Sequence, residues 1–396
     1  MDGQPWPVAE AGALPDEEFT LELEQPRRRR WWQPGAMFIG VRLVGVLILA
    51  GIGAARGKSL IPALYDWDGQ WYLRIAATGY SALSAGVDAN GHTAVDTTMA
   101  FFPGYPIAIS LVSALTHLAP VAAGLLISAV AGIAAAYGLN RLCALLGYPQ
   151  WTGLIGVALF AATPMSVTLS MVYTEAMFTA LAVWALVGIV NRNWLLAAAC
   201  CGFAGLVRPS AAVLVAVLVV ALVIAVARKQ THPAALLYAL PGASGIAGYY
   251  GFVVGRTGNL GGWFELQKAG WGTAFDFGKD SASFVWQVLT SDAPFMETIN
   301  VVVMLGAIAL VVIALRHRLS WPLAAYGIGI VIMTIGSSGV TYSKMRLLVP
   351  AITLLIPVAA GLVRRQRGTV IAVLVVATLV SGWIGAYALD DWRYAI

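Results

Sequence analysis

From Ala36 almost to its end the chain is a succession of long apolar runs separated by short polar or basic turns. Many of these runs reach the roughly 17–25 residues that a helix needs to cross a bilayer. Inside lipid a spanning segment must satisfy its own backbone hydrogen bonds, so the expected class is an all-α polytopic membrane protein. Composition agrees: 59% of the residues are hydrophobic and 11% charged, where a soluble domain has about a quarter charged. The net charge of +5 comes largely from Arg and Lys clusters beside the apolar runs. Such clusters are orientation signals rather than a nucleic-acid footprint. Cys143, Cys200 and Cys201 lie in or beside apolar runs, an odd set that argues against a disulfide framework.

Residues 1–35 read as a cytoplasmic tail: acidic, Pro-rich and disordered over 1–26, with no cleavable signal, then the basic block Arg27–Arg30. Trp31 and Trp32 would sit at headgroup level. A single membrane domain is expected over 36–390. Its first helix covers about 36–55 and leads into an outer loop, 56–103. Further helices are expected at about 104–118, 121–140, 152–171, 174–190, 194–207, 210–227, 234–254, 301–315, 321–336, 346–363 and 369–388, with a second outer loop at 255–300. If all twelve crossed, Arg364–Arg367 would lie outside, against the positive-inside rule. Leaving out 104–118, which is short and opens on Phe101-Phe102-Pro103-Gly104-Tyr105-Pro106, gives about eleven crossings and an outside C-terminus.

The first outer loop carries Tyr65–Tyr80, YDWDGQWYLRIAATGY. Asp66 and Asp68 form a D-x-D triplet among aromatic side chains, in a chain where carboxylates are scarce. In soluble sugar transferases such a triplet can hold a metal with a nucleotide diphosphate, and a divalent metal could sit here, though nothing requires one. Nucleotide sugars are cytoplasmic and this loop is expected outside, so a transferase here would need a donor that arrives through the membrane, such as a polyprenyl-phosphate sugar. A carboxylate beside an acceptor hydroxyl can then take its proton. The plainer reading is an interfacial loop anchored by Trp and Tyr, with solvated aspartates.

Several motifs, in order, resemble the PIG-V family, the GPI mannosyltransferase 2 group. Trp67-Asp68-x-x-Trp71-Tyr72 with Ile75-Ala76 and Gly79-Tyr80 is similar to its first luminal loop. Phe101-Phe102-Pro103-x-Tyr105-Pro106, Thr163-Pro164 with Tyr173-Thr174-Glu175, Arg208-Pro209-Ser210, and Ser343-x-x-Arg346 with Pro350 follow. This chain departs at Thr163 and Ser210, where the family has Asn, and at Met345, where it has Pro. The resemblance implies the GT-C glycosyltransferase fold, an extracytoplasmic site, and a dolichyl- or polyprenyl-phosphate-mannose donor. It leaves the acceptor, a glycolipid, glycan or protein, open. The Ala/Val/Gly-rich composition suggests a bacterial plasma membrane.

Matched to the motif, Asp68 is the first choice for the base, with Asp66 or Glu175 in support. Two close carboxylates would raise one pKa. Glu175 in a first helical turn could equally serve the helix dipole. Arg208, ahead of Pro209, could hold a donor phosphate by paired hydrogen bonds or snorkel to the interface. Lys344 and Arg346 at a helix start call for an anion, either that phosphate or a lipid headgroup. Trp67, Trp71, Tyr72, Arg74 and Tyr342 are candidate substrate contacts. So are Gln267, Lys268 and Trp271, in a stretch spaced like one face of a short helix, which could also simply rest on the membrane. His92 reads as a surface residue. A transporter, or a non-catalytic partner of another transferase, is the rival reading. A transporter tends to show paired halves and polar broken helices near the midplane.

Overall fold

The computed structural model describes residues 31–80, 86–87, 93–94, 97–339, 341–392 and 394–395. The basic block Arg27–Arg30, most of the tail and His92 lie outside the described residues. The described chain is helical, apart from an antiparallel pair of two-residue strands, Gly86–Val87 and Thr93–Ala94. Four helices are long and apolar enough to cross a membrane: Gln33–Ala55, Pro120–Leu145, Phe295–Arg316 and Arg367–Asp390. A bent pair adds a fifth, and six shorter apolar helices pack among them. The chain is an integral membrane protein.

Two of the expected helices are interrupted, and these breaks, with the expected one at Pro209, build the site. The run expected over 152–171 is helical only through Gln150–Ala161. It then unwinds past Thr163-Pro164, makes one 3-10 turn at Ser166–Ser170, and resumes at Glu175. Pro164 lacks an N–H and restricts the residue before it, so the helix cannot continue. Pro209 separates Trp194–Gly205 from Ala211–Ala227, where two helices are expected. The run expected over 346–363 is split into Lys344–Leu347, Ile352–Leu355 and Ile356–Val363, bent by 65°, with Pro350 and Pro357 at the breaks.

A buried cation braces the first interruption. Arg42, 6% exposed inside Gln33–Ala55, donates from Nη1 to the Ala161 carbonyl (3.0 Å) and Ser166 Oγ (2.5 Å), and from Nε to Ser170 Oγ (3.0 Å). The Ala161 carbonyl is one that the broken helix leaves without an intrahelical partner. A charge this deep is sustained because those acceptors replace water.

At one end of the bundle Gln150 bonds Gln33 (2.8 Å). At the other, Arg56 pairs with Asp391 (2.5 Å) and Lys58 lies against Asp390. Gly104–Thr116 packs beside the first turns of Pro120–Leu145: the Tyr105 hydroxyl meets Gly124 O (2.9 Å) and Ser128 Oγ (2.7 Å). The two stretches expected as outer loops contain helices of their own: Leu60–Ala63 and Asp68–Thr78 in the first, Gly262–Trp271 and Lys279–Thr290 in the second. Their apolar residues recur at helical rather than bilayer-spanning length, which is why the sequence shows them as loops.

Trp194–Gly205 and Ala239–Thr257 approach through glycines. A Cβ on Gly245 would stand 1.8 Å from the Gly202 carbonyl oxygen, and one on Gly205 2.4 Å from the Ile246 nitrogen. Small residues allow such backbone contact between membrane helices. Both obstacles are backbone, so Gly245→Ala should force the helices apart. Overpacking of this kind costs about 1–3 kcal/mol or more. The expected result is a lower yield of monodisperse protein by size exclusion, with Gly248→Ala, which meets nothing within 4 Å, as the unaffected control.

Candidate active site

Asp68 is the first residue of the helix Asp68–Thr78, and the residue before it is strained. Trp67 has φ +55° and ψ −117°, a region that a bulky side chain reaches only when its surroundings impose it. Asp66 closes the turn on itself: its Oδ1 accepts the Trp67 N–H (3.0 Å) and Gln70 Nε2 (2.8 Å). Asp68 faces elsewhere. Its Oδ2 accepts a 2.5 Å hydrogen bond from Arg346 Nη2, an ion pair between positions 278 residues apart. The two side chains are 16% and 10% exposed. Arg346 also lies over the ring of Tyr173, 5.1 Å from its centroid, and its Nε is buried with no hydrogen-bond partner.

A second ion pair adjoins the first. Arg208 Nη1 stands 2.7 Å from Glu175 Oε1. Glu175 is 1% exposed, and neither of its oxygens has a partner in good hydrogen-bond geometry, so charge neutralisation by Arg208 is what holds it. Thr174 Oγ1 joins the second pair to Tyr72, receiving Arg208 Nη1 at 3.2 Å and meeting the Tyr72 hydroxyl at 3.4 Å. Burial first, then the carboxylates of Asp68 and Glu175, push the Tyr72 phenol above its ordinary pKa. It stays protonated and can only add a neutral O–H to the site.

The remaining candidates divide into three groups. Trp71 stacks on Phe101 (centroids 5.8 Å apart), Trp271 meets the same ring edge-on (5.5 Å), and Arg74 covers the outer face of Trp71 (4.9 Å). Gln267 donates to Ala100 O (3.1 Å) from the same helix as Trp271, while Lys268 is exposed. This aromatic group adjoins Asp68 through Tyr72, which packs edge-on against Phe101 (5.4 Å). Lys344 belongs elsewhere. It donates to Ser281 Oγ at the start of Lys279–Thr290, where Asp276 accepts the N–H groups of Gly278 (2.9 Å) and Asp280 (2.7 Å). Those N–H groups, with Lys344 helping, hold the Asp276 carboxyl below its usual pKa. Tyr342 bonds Glu297 (3.4 Å) and stacks on Tyr394 (4.9 Å).

The sequence reading put Arg208, Lys344 and Arg346 around one phosphate. In the structure Arg346 joins Asp68, Arg208 joins Glu175, and Lys344 donates to Ser281 in the stretch expected as the second outer loop. Residues two apart on a helical turn point to nearly opposite sides, and Lys344 and Arg346 are two apart. Tyr173 and Thr174 received no role from sequence, although both stand where a broken helix resumes. The Asp66 and Asp68 carboxylates are engaged by different partners. No group of three His, Cys, Asp or Glu is placed to share a metal ion among the described residues, so no step is assigned to a metal.

No family model matches the chain, and no curated protein matches it either. Solved structures similar to it include ArnT from Cupriavidus metallidurans bound to undecaprenyl phosphate, at 16% identity and a TM-score of 0.49, covering 86% of this chain and 62% of that one. The oligosaccharyltransferase of Archaeoglobus fulgidus in the apo form is similar at 14% identity and a TM-score of 0.48, covering 93% and 57%. AglB from the same organism, in complex with an inhibitory peptide and a dolichol-phosphate, overlaps at 14% identity and a TM-score of 0.44, covering 92% and 56%. The chain thus spans between 56% and 62% of the length of these structures.

Proposed function

We propose that this chain is a GT-C membrane glycosyltransferase. It moves a hexose, mannose by the family resemblance, from a polyprenyl-phosphate donor to an acceptor hydroxyl on the extracytoplasmic side. The single observation that carries this reading is the Asp68–Arg346 contact. A carboxylate suited to take a proton and a guanidinium suited to hold a phosphate meet from distant parts of the chain, beside a second such pair. Scarce charges in a membrane protein face a functional cavity far more often than lipid. The basic turns Arg228-Lys229, Arg316–Arg318 and Arg364–Arg367 support a cytoplasmic assignment for the end of the bundle opposite Asp68, and with it a cytoplasmic N-terminus.

In the proposed reaction the donor phosphate takes Arg346 from Asp68, using the unfilled Nε as well as Nη2, with Arg208 adding charge from beneath. A guanidinium holds phosphate by such paired bonds. Asp68, released, accepts the proton of the acceptor hydroxyl. The hydroxyl oxygen attacks the anomeric carbon as the bond from that carbon to the phosphate oxygen breaks. Polyprenyl phosphate leaves with the electron pair, the anomeric centre inverts, and Asp68 ends as the carboxylic acid. Donors already aimed at the leaving phosphate lower the barrier where its charge develops.

The test is a transfer assay with radiolabelled polyprenyl-phosphate-mannose and membranes from cells making the full-length chain. Label should move covalently to an acceptor, and Arg346→Gln should lose it. Label that crosses the bilayer while still attached to its lipid would mean a transporter instead. Transfer that appears only with a second protein would mean an assembly partner.

A further inference from the structure

We infer that Tyr173 is a positioning residue that sets both halves of the Asp68–Arg346 pair, the hydroxyl fixing Asp68 and the ring fixing Arg346. The inference rests on the transferase reading above. Tyr173 is fully buried in the unwound segment before Glu175. Its hydroxyl donates to the Asp66 carbonyl oxygen at 3.1 Å. That peptide lies immediately ahead of Trp67, whose φ of +55° would relax if the surroundings allowed it. The tyrosine therefore restrains the turn from which Asp68 projects. The same turn is pinned from its other side, where Val172 N bonds Leu64 O (2.8 Å) and Gly69 passes so close that a Cβ there would lie 3.3 Å from Val172 O.

The ring does a separate job. Arg346 lies over its face at 5.1 Å, and a desolvated guanidinium on an aromatic face is held by the ring quadrupole without using any of its N–H donors. Arg346 so held keeps Nε and Nη2 for an anion. A carboxylate in place of the ring would neutralise the cation, while an aliphatic side chain would leave its orientation open. One residue thus serves the base through its backbone and the phosphate-binding cation through its ring, and the two functions can be removed separately.

The experiment measures initial rates against donor concentration, with radiolabelled polyprenyl-phosphate-mannose, for the full-length chain and two variants. It also measures binding of undecaprenyl phosphate to each purified protein in nanodiscs. Tyr173→Phe keeps the ring and loses the tether. It should lower Vmax about tenfold, the effect of one lost hydrogen bond on aim, while leaving the donor KM and undecaprenyl phosphate binding within about twofold of wild type. Tyr173→Leu loses both and should in addition raise the donor KM and the dissociation constant about tenfold. If the wild type transfers sugar but Phe leaves Vmax unchanged, or Phe and Leu shift KM alike, Tyr173 is only packing and the inference falls alone. If the wild type neither binds undecaprenyl phosphate nor transfers label, the transferase reading falls first. Should Leu fail to fold, Phe still decides the tether and Tyr173→Met, which also lacks the ring, takes the place of Leu in the KM and binding measurements.

Discussion

Asp68→Asn should abolish sugar transfer and at the same time tighten the chain's grip on polyprenyl phosphate. The first effect follows from removing the group that takes the acceptor proton, a contribution of about 10²–10⁴-fold in rate. The second follows from the resting pairing. Arg346 donates to Asp68 at 2.5 Å, with both side chains largely shielded from water, so an incoming phosphate must displace an internal anion. A hydrogen bond to a charged group is worth about 1.5–3 kcal/mol, and asparagine keeps the shape but not the charge. Undecaprenyl phosphate should therefore bind the variant about tenfold more tightly, read by thermophoresis on protein in nanodiscs. A normal transfer rate in the variant would remove Asp68 as the base. Weaker phosphate binding would mean that Asp68 and the phosphate do not compete for Arg346.

Much of this architecture was readable before any coordinates. The apolar runs mark the helices because each crossing must satisfy its backbone within itself, and Pro209 marks a break because proline cannot continue a helix; the helices expected over 152–171 and 346–363 run through Pro164 and Pro350, where the structure breaks them. Asp68 stands out in the sequence as a scarce carboxylate among aromatic residues, and Arg346 as a cation at a helix start. What the sequence could not convey was pairing. Which carboxylate meets which cation depends on the direction each side chain leaves its turn, and that is set by Trp67 at φ +55° and by the bend after Leu347. Lys344 illustrates the limit. In sequence it is equivalent to Arg346, yet a step of two residues turns it toward Ser281 and the start of Lys279–Thr290. Tyr173 escaped for a related reason: an aromatic at the end of an apolar run looks like core until its hydroxyl partner is known.

The Glu175–Arg208 pair predicts an asymmetry that separates stability from chemistry. Glu175 is buried, with Arg208 as its ion-pair partner and no hydrogen-bond partner for either oxygen among the described residues, whereas the Arg208 side chain keeps 11% exposure and a hydrogen-bond acceptor in Thr174. Arg208→Gln strands a carboxylate away from water, a loss of about 3–5 kcal/mol when one partner of a buried pair is removed. Glu175→Gln leaves a guanidinium that still bonds Thr174 and can lean toward solvent, so its cost should be smaller, about 1–2 kcal/mol. The double variant removes both charges and should recover most of the thermal stability lost by Arg208→Gln, because two neutral amides need no counterion. Transfer should behave differently. If Arg208 adds charge at the leaving phosphate, the double variant stays as inactive as Arg208→Gln although its melting temperature returns. Activity that recovers together with stability would reduce Arg208 to a counterion for Glu175 and leave Arg346 to hold the phosphate alone.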